Sequence, residues 1–202
     1  MLDLFNGYAR RLPSWVVYTL GALPFALLVY SALNNDLGAD PIKALELELG
    51  EWGLRFLIAS LAVTPLMRYG VRLLKFRRAL GLLGFAYIAL HFTTWITLDL
   101  ALRWGQIGSE LIKRPFIIVG FVGFVLLVPL ALTSWNGAIR RLGAASWKKL
   151  HKLAYPAILA GGSHYVMIGK VYTAESLIYL GIIVVLLGIR MLPPRRPQRK
   201  AA

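Results

Sequence analysis

Six apolar runs, each about as long as a bilayer is thick, divide this chain, and only short polar connectors separate them. They fall at about 14–33, 52–69, 80–100, 115–132, 147–168 and 174–192. A helix needs about 20 mostly apolar residues to cross hydrocarbon. Inside lipid, a helix is the element that pairs all its own backbone groups. The expectation is therefore an all-α membrane protein, a six-helix transmembrane bundle forming a single domain over 1–202. The tail at 193–202 is basic and polar. Of the 202 residues 58% are hydrophobic and 16% charged, with a mean hydropathy of +0.64, so little remains for a soluble domain. Residues 34–51, where Leu45, Leu47 and Leu49 alternate with acids, read as a polar loop with room for a short interfacial helix. Arg10 and Arg11 precede the first run without a small-residue cleavage site, which does not match a cleavable signal peptide.

Charge sets the orientation. With six spans, the N-terminus, the connectors after runs two and four, and the C-terminus share one side, which holds seventeen Lys/Arg and one acid, Asp3. The opposite side holds six Lys/Arg and eight acids. Cytoplasmic loops carry the Lys/Arg excess, so both termini are expected in the cytoplasm. The same count accounts for the net charge of +14 through topology and contact with anionic lipid. Nucleic acid is not an expected partner, because the basic residues are split over four membrane-bordering segments.

All three histidines lie in or at the edge of apolar runs: His91 in the third, His151 and His164 in the fifth. Ionisable side chains at membrane depth are costly, face the bundle interior and mark function. Neutral imidazole suits iron. At 1.5 Å per residue, His151 lies about 6 Å from the cytoplasmic end of its run, His91 about 18 Å and His164 about 25 Å. Runs three and five are parallel, so His91 and His164 are the closer pair in height, and helix tilt can close the remainder. They are the expected axial pair of one haem in the outer half of the membrane. His151 is left for a second, cytoplasmic-side haem, a flavin or a quinone, with no histidine partner in sight. The thirteen residues from His151 to His164 turn through about 140° beyond full turns, so the two share a face only if Pro156 or Gly161-Gly162 distorts the helix.

Cysteine is absent, which excludes disulfides, cysteine-ligated iron–sulfur clusters and covalently attached c-type haem. No Gly-rich dinucleotide fingerprint follows a strand, so electrons must come from another protein or a mobile carrier. Two other functions suit histidines in a bundle: a self-contained transmembrane cytochrome b oxidoreductase, and a small transporter using a histidine proton relay. The missing nucleotide domain disfavours a ferric-reductase form of the first. Matching broken helices and repeats, common in transporters, are not evident.

Several runs carry a resemblance: Arg77-Arg78-Ala79-Leu80-Gly81-Leu82, Ala89-Leu90-His91, Lys113-Arg114-Pro115, Leu132-Thr133-Ser134 and Trp147-Lys148-Lys149-Leu150-His151. With the length and six runs, the chain resembles throughout the MsrQ family. These are the haem-binding membrane subunits of bacterial periplasmic methionine sulfoxide reductase systems, within the ferric-reductase-like transmembrane superfamily. The resemblance implies a multi-pass protein of the bacterial inner membrane carrying haem b, one or two copies, and FMN. It implies electrons drawn from the quinone pool or a cytoplasmic flavin reductase. They would pass to a periplasmic molybdopterin-containing methionine sulfoxide reductase subunit, for repair of oxidised envelope proteins. On that view this chain is an electron-transfer subunit of an oxidoreductase complex, not the catalytic subunit. The family's histidines match His91, His151 and His164. Three histidines leave one of two haem pairs incomplete. Arg77 and Arg78 are candidates for haem propionates or FMN phosphate near the cytoplasmic face. Trp95, Trp147 and Tyr165 are candidates for packing on a macrocycle, and Asp99, Lys113 and Arg114 for contact with the periplasmic partner.

Overall fold

The computed structural model describes residues 2–169 and 171–192. The basic tail at 193–202 and the turn at Lys170 lie outside the described residues. The elements are α1 (Leu2–Arg11), α2 (Trp15–Leu33), α3 (Pro41–Met67), α4 (Arg77–Thr94), α5 (Trp104–Lys113), α6 (Pro115–Leu132), α7 (Asn136–Leu142), α8 (Ala144–Leu150), α9 (Ala154–Ile168) and α10 (Ala174–Met191). Among the described residues there is no strand. Four helical stretches among the described residues are long and apolar enough to cross a membrane: Trp15–Leu33, Leu74–Asp99, Pro115–Leu132 and Ala174–Met191. Large apolar side chains face outward along them: Leu27, Leu132 and Val185 are each at least 60% exposed.

Two of the six runs differ from expectation. Most of the stretch read as a loop, from Pro41 onward, is the first half of α3. Asp40 caps it by accepting from the Lys43 N–H at 3.0 Å, and Pro41 supplies the pre-set first-turn φ. The alternating leucines disguised a helix whose inward face is Leu45, Glu46 and Leu49. In the fifth run the helix is not continuous: α8 tightens into a 3-10 turn at His151–Leu153 before α9 begins. Pro156, the third residue of α9, has no N–H and its ring clashes with the carbonyl four residues back, at Lys152, so the distortion expected at Pro156 falls in this turn and changes the facing of His151 relative to His164.

The bundle pairs α3 with α4 and α6 with α9, with α10 against α9 and α2 against α4. The main core joins Leu54, Leu57 and Leu61 of α3 to Leu127 and Leu130 of α6, Ala157 and Ile158 of α9 and Ile183 of α10. The α3–α4 approach is close because each helix offers a glycine to the other's backbone. A methyl on Gly53 would stand 3.2 Å from the Ile88 nitrogen, and one on Gly84 would stand 3.1 Å from the Leu57 nitrogen. Small residues permit this where apolar burial alone gives no advantage over lipid.

Helix α2 is tied to α4 by one hydroxyl. Tyr87, 3% exposed, accepts from the Phe25 N–H at 2.8 Å and donates to the Gly21 carbonyl at 2.7 Å. Those two groups are i+4 and i partners in a regular helix, and Pro24 sits between them, where its ring opens the ladder. At the far end of α4, a π-helical turn at Trp95–Asp99 leads into Ala101 and Leu102, both at positive φ (47° and 58°). This strained reversal swings Arg103 and α5 across the end of the bundle.

Candidate cofactor sites

Two cavities lie inside the bundle, one toward its acidic end and one toward its basic end. The first, about 480 Å³, is lined by α3, α4, α5, α6 and α9 and contains both His91 and His164. The structure brings these two side chains together, with ring centres 6.3 Å apart and planes at 73°. Each ring is fixed from behind. His91 Nδ1 lies 2.8 Å from the Glu46 carbonyl oxygen on α3, and His164 Nδ1 lies 2.7 Å from the Phe116 carbonyl oxygen on α6. A carbonyl only accepts, so both Nδ1 atoms carry the proton and both Nε2 atoms keep a free lone pair. That is the tautomer a metal-ligating histidine adopts, with its second nitrogen held by a carbonyl.

The spacing matches a specific ligand set. Two imidazoles trans on one metal, each with a metal–nitrogen bond of about 2 Å, put their ring centres about 6 Å apart. Among the described residues, no three His, Asp or Glu side chains gather as a metal site. A bare ion would therefore lack ligands, whereas iron that brings its own four equatorial nitrogens needs only the axial pair. The surroundings are flat and apolar: Phe116 lies at 6.1 Å from His164, and Phe92, Phe121, Phe124, Trp95 and Tyr165 complete the wall. At the mouth, Lys43 pairs with Glu46 at 3.0 Å and Arg114 pairs with Glu110, beside Asp99 and Arg103. Lys113 is not among the residues lining this cavity.

The second cavity, about 610 Å³, is lined by Lys75, Arg77, Arg78, Lys148 and Lys152, and among the described residues no carboxylate lines it. His151 lines it too, stacked on Trp147 at 3.8 Å between ring centres, with Nε2 3.1 Å from the Thr133 hydroxyl. Trp147 is held in turn by donation to the Thr133 carbonyl at 2.9 Å. Both other histidines are in the first cavity, so His151 has no partner across this one. Arg190 of α10 adds a further cation nearby: it donates to the Tyr155 hydroxyl at 3.1 Å and to the Leu61 carbonyl at 2.6 Å. Its buried Nε has no hydrogen-bond acceptor among the described residues. A cavity ringed by cations without carboxylates suits an anionic ligand.

A stack of rings separates the cavities. Phe92, on the first, lies 4.7 Å from Phe124, which lies 6.0 Å from Phe85 on the second, with planes within 2° in the latter pair. Of the residues expected from the sequence, His91 and His164 line the first cavity and His151, Arg77 and Arg78 the second. Nothing in the sequence signals the carbonyls of Glu46 and Phe116 or Arg190 at these sites, and Thr133 enters only within the run Leu132-Thr133-Ser134, without a role. Backbone acceptors leave no residue-type signature, and a cation such as Arg190 at the expected cytoplasmic end of the last run is already accounted for by topology.

Comparison with known proteins gives two kinds of match. The family model described as ferric reductase like transmembrane component matches residues 49–162, which takes in His91 and His151 and stops two residues short of His164. The protein-methionine-sulfoxide reductase heme-binding subunit MsrQ of Brucella anthropi is 46% identical over 187 residues, covering 92% of this chain and 84% of that one. The MsrQ proteins of Brucella ovis and Brucella suis are each 46% identical over 189 residues, covering 93% of this chain and 86% of theirs. No solved structure matches the chain.

Proposed function

The chain belongs to the MsrQ family, within the ferric-reductase-like transmembrane proteins, and on that premise we propose that it is a membrane electron relay built on one haem b. The observation that carries this reading is the His91–His164 pair, 6.3 Å apart in one cavity walled by aromatic rings, with both Nδ1 atoms tied to helix carbonyls. The Nε2 atoms of His91 and His164 would hold the iron, and haem, when bound, would supply one-electron exchange there. The protein's part is rigidity: rings locked by two neighbouring helices change little in geometry between oxidation states.

We assign the second cavity to FMN. The ligand set for a second bis-histidine haem is missing there, and Nε2 of His151 faces Thr133. Arg77 and Arg78, with Arg190 nearby, offer charge-assisted donors for a phosphate, and the Trp147–His151 stack offers a flat edge for an isoalloxazine ring. The Phe92–Phe124–Phe85 stack fills the space between the two sites with packed rings.

In the membrane, six helices span the bacterial inner membrane: α2, α3, α4, α6, α9 with the turns before it, and α10. Both termini are cytoplasmic, by the asymmetry of Lys and Arg. The FMN cavity then faces the cytoplasm, where a flavin reductase or the quinone pool donates electrons. The haem cavity faces the periplasm, where a molybdopterin-containing methionine sulfoxide reductase subunit takes them up. The test is composition and spectrum of the purified protein, oxidised and dithionite-reduced. The expected result is one low-spin b-type haem and one FMN per chain, with reoxidation of the haem by the periplasmic subunit plus methionine sulfoxide. Well-folded protein carrying no haem would overturn the reading.

A further inference from the structure

The two haem-facing histidines are seated by the same backbone device, used twice on different helices. His91 donates to the carbonyl of Glu46, and four residues on in α3 is Gly50. His164 donates to the carbonyl of Phe116, and four residues on in α6 is Gly120. Within a helix, the carbonyl of residue i already serves the N–H of residue i+4. The Cα–Cβ bond of residue i+4 leans toward the helix N-terminus, so its side chain covers that carbonyl's remaining lone pair. A glycine at i+4 leaves the lone pair open to a donor from a neighbouring helix.

The rings occupy the space the missing side chains leave. A methyl on Gly50 would stand 3.0 Å from His91 Nδ1 and 3.3 Å from its Cε1. A methyl on Gly120 would stand 2.7 Å from His164 Nδ1, 2.9 Å from Cε1 and 3.0 Å from Cγ. These contacts are to ring atoms of half-buried imidazoles held by a hydrogen bond, not to flexible chain ends. By contrast, an added methyl on Gly181 or Gly188 would meet nothing within 4 Å. Glycine in a helix interior is less stable than alanine, and these two positions bear that cost while placing an imidazole against bare backbone.

We propose that Gly50 and Gly120 are positioning residues for the axial ligands: each uncovers one helix carbonyl so that it fixes the ligand's tautomer, ring angle and donor strength. This rests on the assignment of haem to His91 and His164. The consequence is electronic as well as steric. An Nδ1–H bonded to a carbonyl makes Nε2 a stronger donor, which favours ferric iron. Removing the bond weakens the ligand and shifts the balance toward ferrous iron.

The test is Gly50→Ala and Gly120→Ala in the full chain, with Gly181→Ala as the comparator. The readouts are haem titration, midpoint potential and low-spin electron paramagnetic resonance, with circular dichroism to establish folding. The expected result is a loss of about tenfold to hundredfold in haem affinity for both cradle variants, a more positive midpoint potential and a changed low-spin signal. Gly181→Ala should match wild type in all three. Folded cradle variants with wild-type affinity and potential would overturn the inference. A second measurement avoids the cradle variants' own folding: His164→Gly loaded with haem and external imidazole or 1-methylimidazole. Imidazole, which keeps an N–H for the Phe116 carbonyl, should bind more tightly, and equal binding of the two would count against the inference. Wild type without haem would remove the assignment beneath it, and the inference would fall for that separate reason.

Discussion

Tyr87→Phe isolates one oxygen atom whose loss should loosen a whole helix. The hydroxyl sits between Phe25 N–H and Gly21 C=O, at 2.8 and 2.7 Å, beside Pro24 in α2. Deleting it keeps the ring, its packing on Phe56 at 5.3 Å and its edge contact with Phe25 at 6.5 Å. What remains is a donor and an acceptor, each worth about 1–3 kcal/mol when left unpaired in a dry site. Side-chain hydrogen bonds in membrane bundles average only about 0.6 kcal/mol, because the unfolded reference also finds partners. Here α2 can recover part of the loss by closing its own Gly21–Phe25 bond, so the expected net cost is about 2 kcal/mol. Reversible unfolding in mixed detergent, followed by circular dichroism, measures it. The double variant with Pro24→Ala sharpens the test: without the proline the ladder closes unaided, and Tyr87→Phe should then cost less than half as much. A cost below about 0.5 kcal/mol in the wild-type background, or the same cost with and without Pro24, would refute the inserted-hydroxyl account.

Three further outcomes are expected. Gly162→Ala places a methyl 2.6 Å from Cδ1 of Ile183, which is fully buried between α9 and α10; unfolding in detergent should show destabilisation of about 1–3 kcal/mol from overpacking. Arg190→Gln removes a charged donor pair near the cationic cavity; retention of FMN through gel filtration should drop with an affinity loss of about tenfold, with haem content unchanged. Fusing a fluorescent protein or alkaline phosphatase to the C-terminus tests the orientation: fluorescence with no phosphatase activity is expected, and active phosphatase would reverse the assigned sides.

The helical plan was legible because apolar length is a strong signal: α2, α4 with its π turn, α6 and α10 fall within a few residues of the runs at 14–33, 80–100, 115–132 and 174–192. The first half of α3 was not, since Leu45, Leu47 and Leu49 between acids imitate a strand-like or loop pattern. Helix formation there is decided by the Asp40 cap and by burial of Glu46 and Leu49 against neighbours. The break before α9 is marked only downstream, by Pro156 acting on the Lys152 carbonyl four residues back, since Trp147–His151 itself holds no glycine or proline. The histidines were legible as rare titratable groups in apolar runs. Their height difference and the tilt needed to meet were estimated from helix rise alone, and the structure has the two rings at 6.3 Å. What seats them was hidden, because Gly50 and Gly120 act through carbonyls of Glu46 and Phe116, where side-chain identity is irrelevant. Arg190 was hidden for the opposite reason: its charge had an adequate explanation in topology.

The most direct measurement is the reduced-minus-oxidised absorbance spectrum of His91→Ala, His164→Ala and His151→Ala beside wild type, each with a haem count per folded chain. The pairing in the first cavity predicts a low-spin b-type spectrum in wild type that is lost in His91→Ala and in His164→Ala. In His151→Ala the haem spectrum should persist, with any loss confined to FMN. A low-spin spectrum that survives His164→Ala but vanishes in His151→Ala would contradict the pairing and move the haem to the cationic cavity.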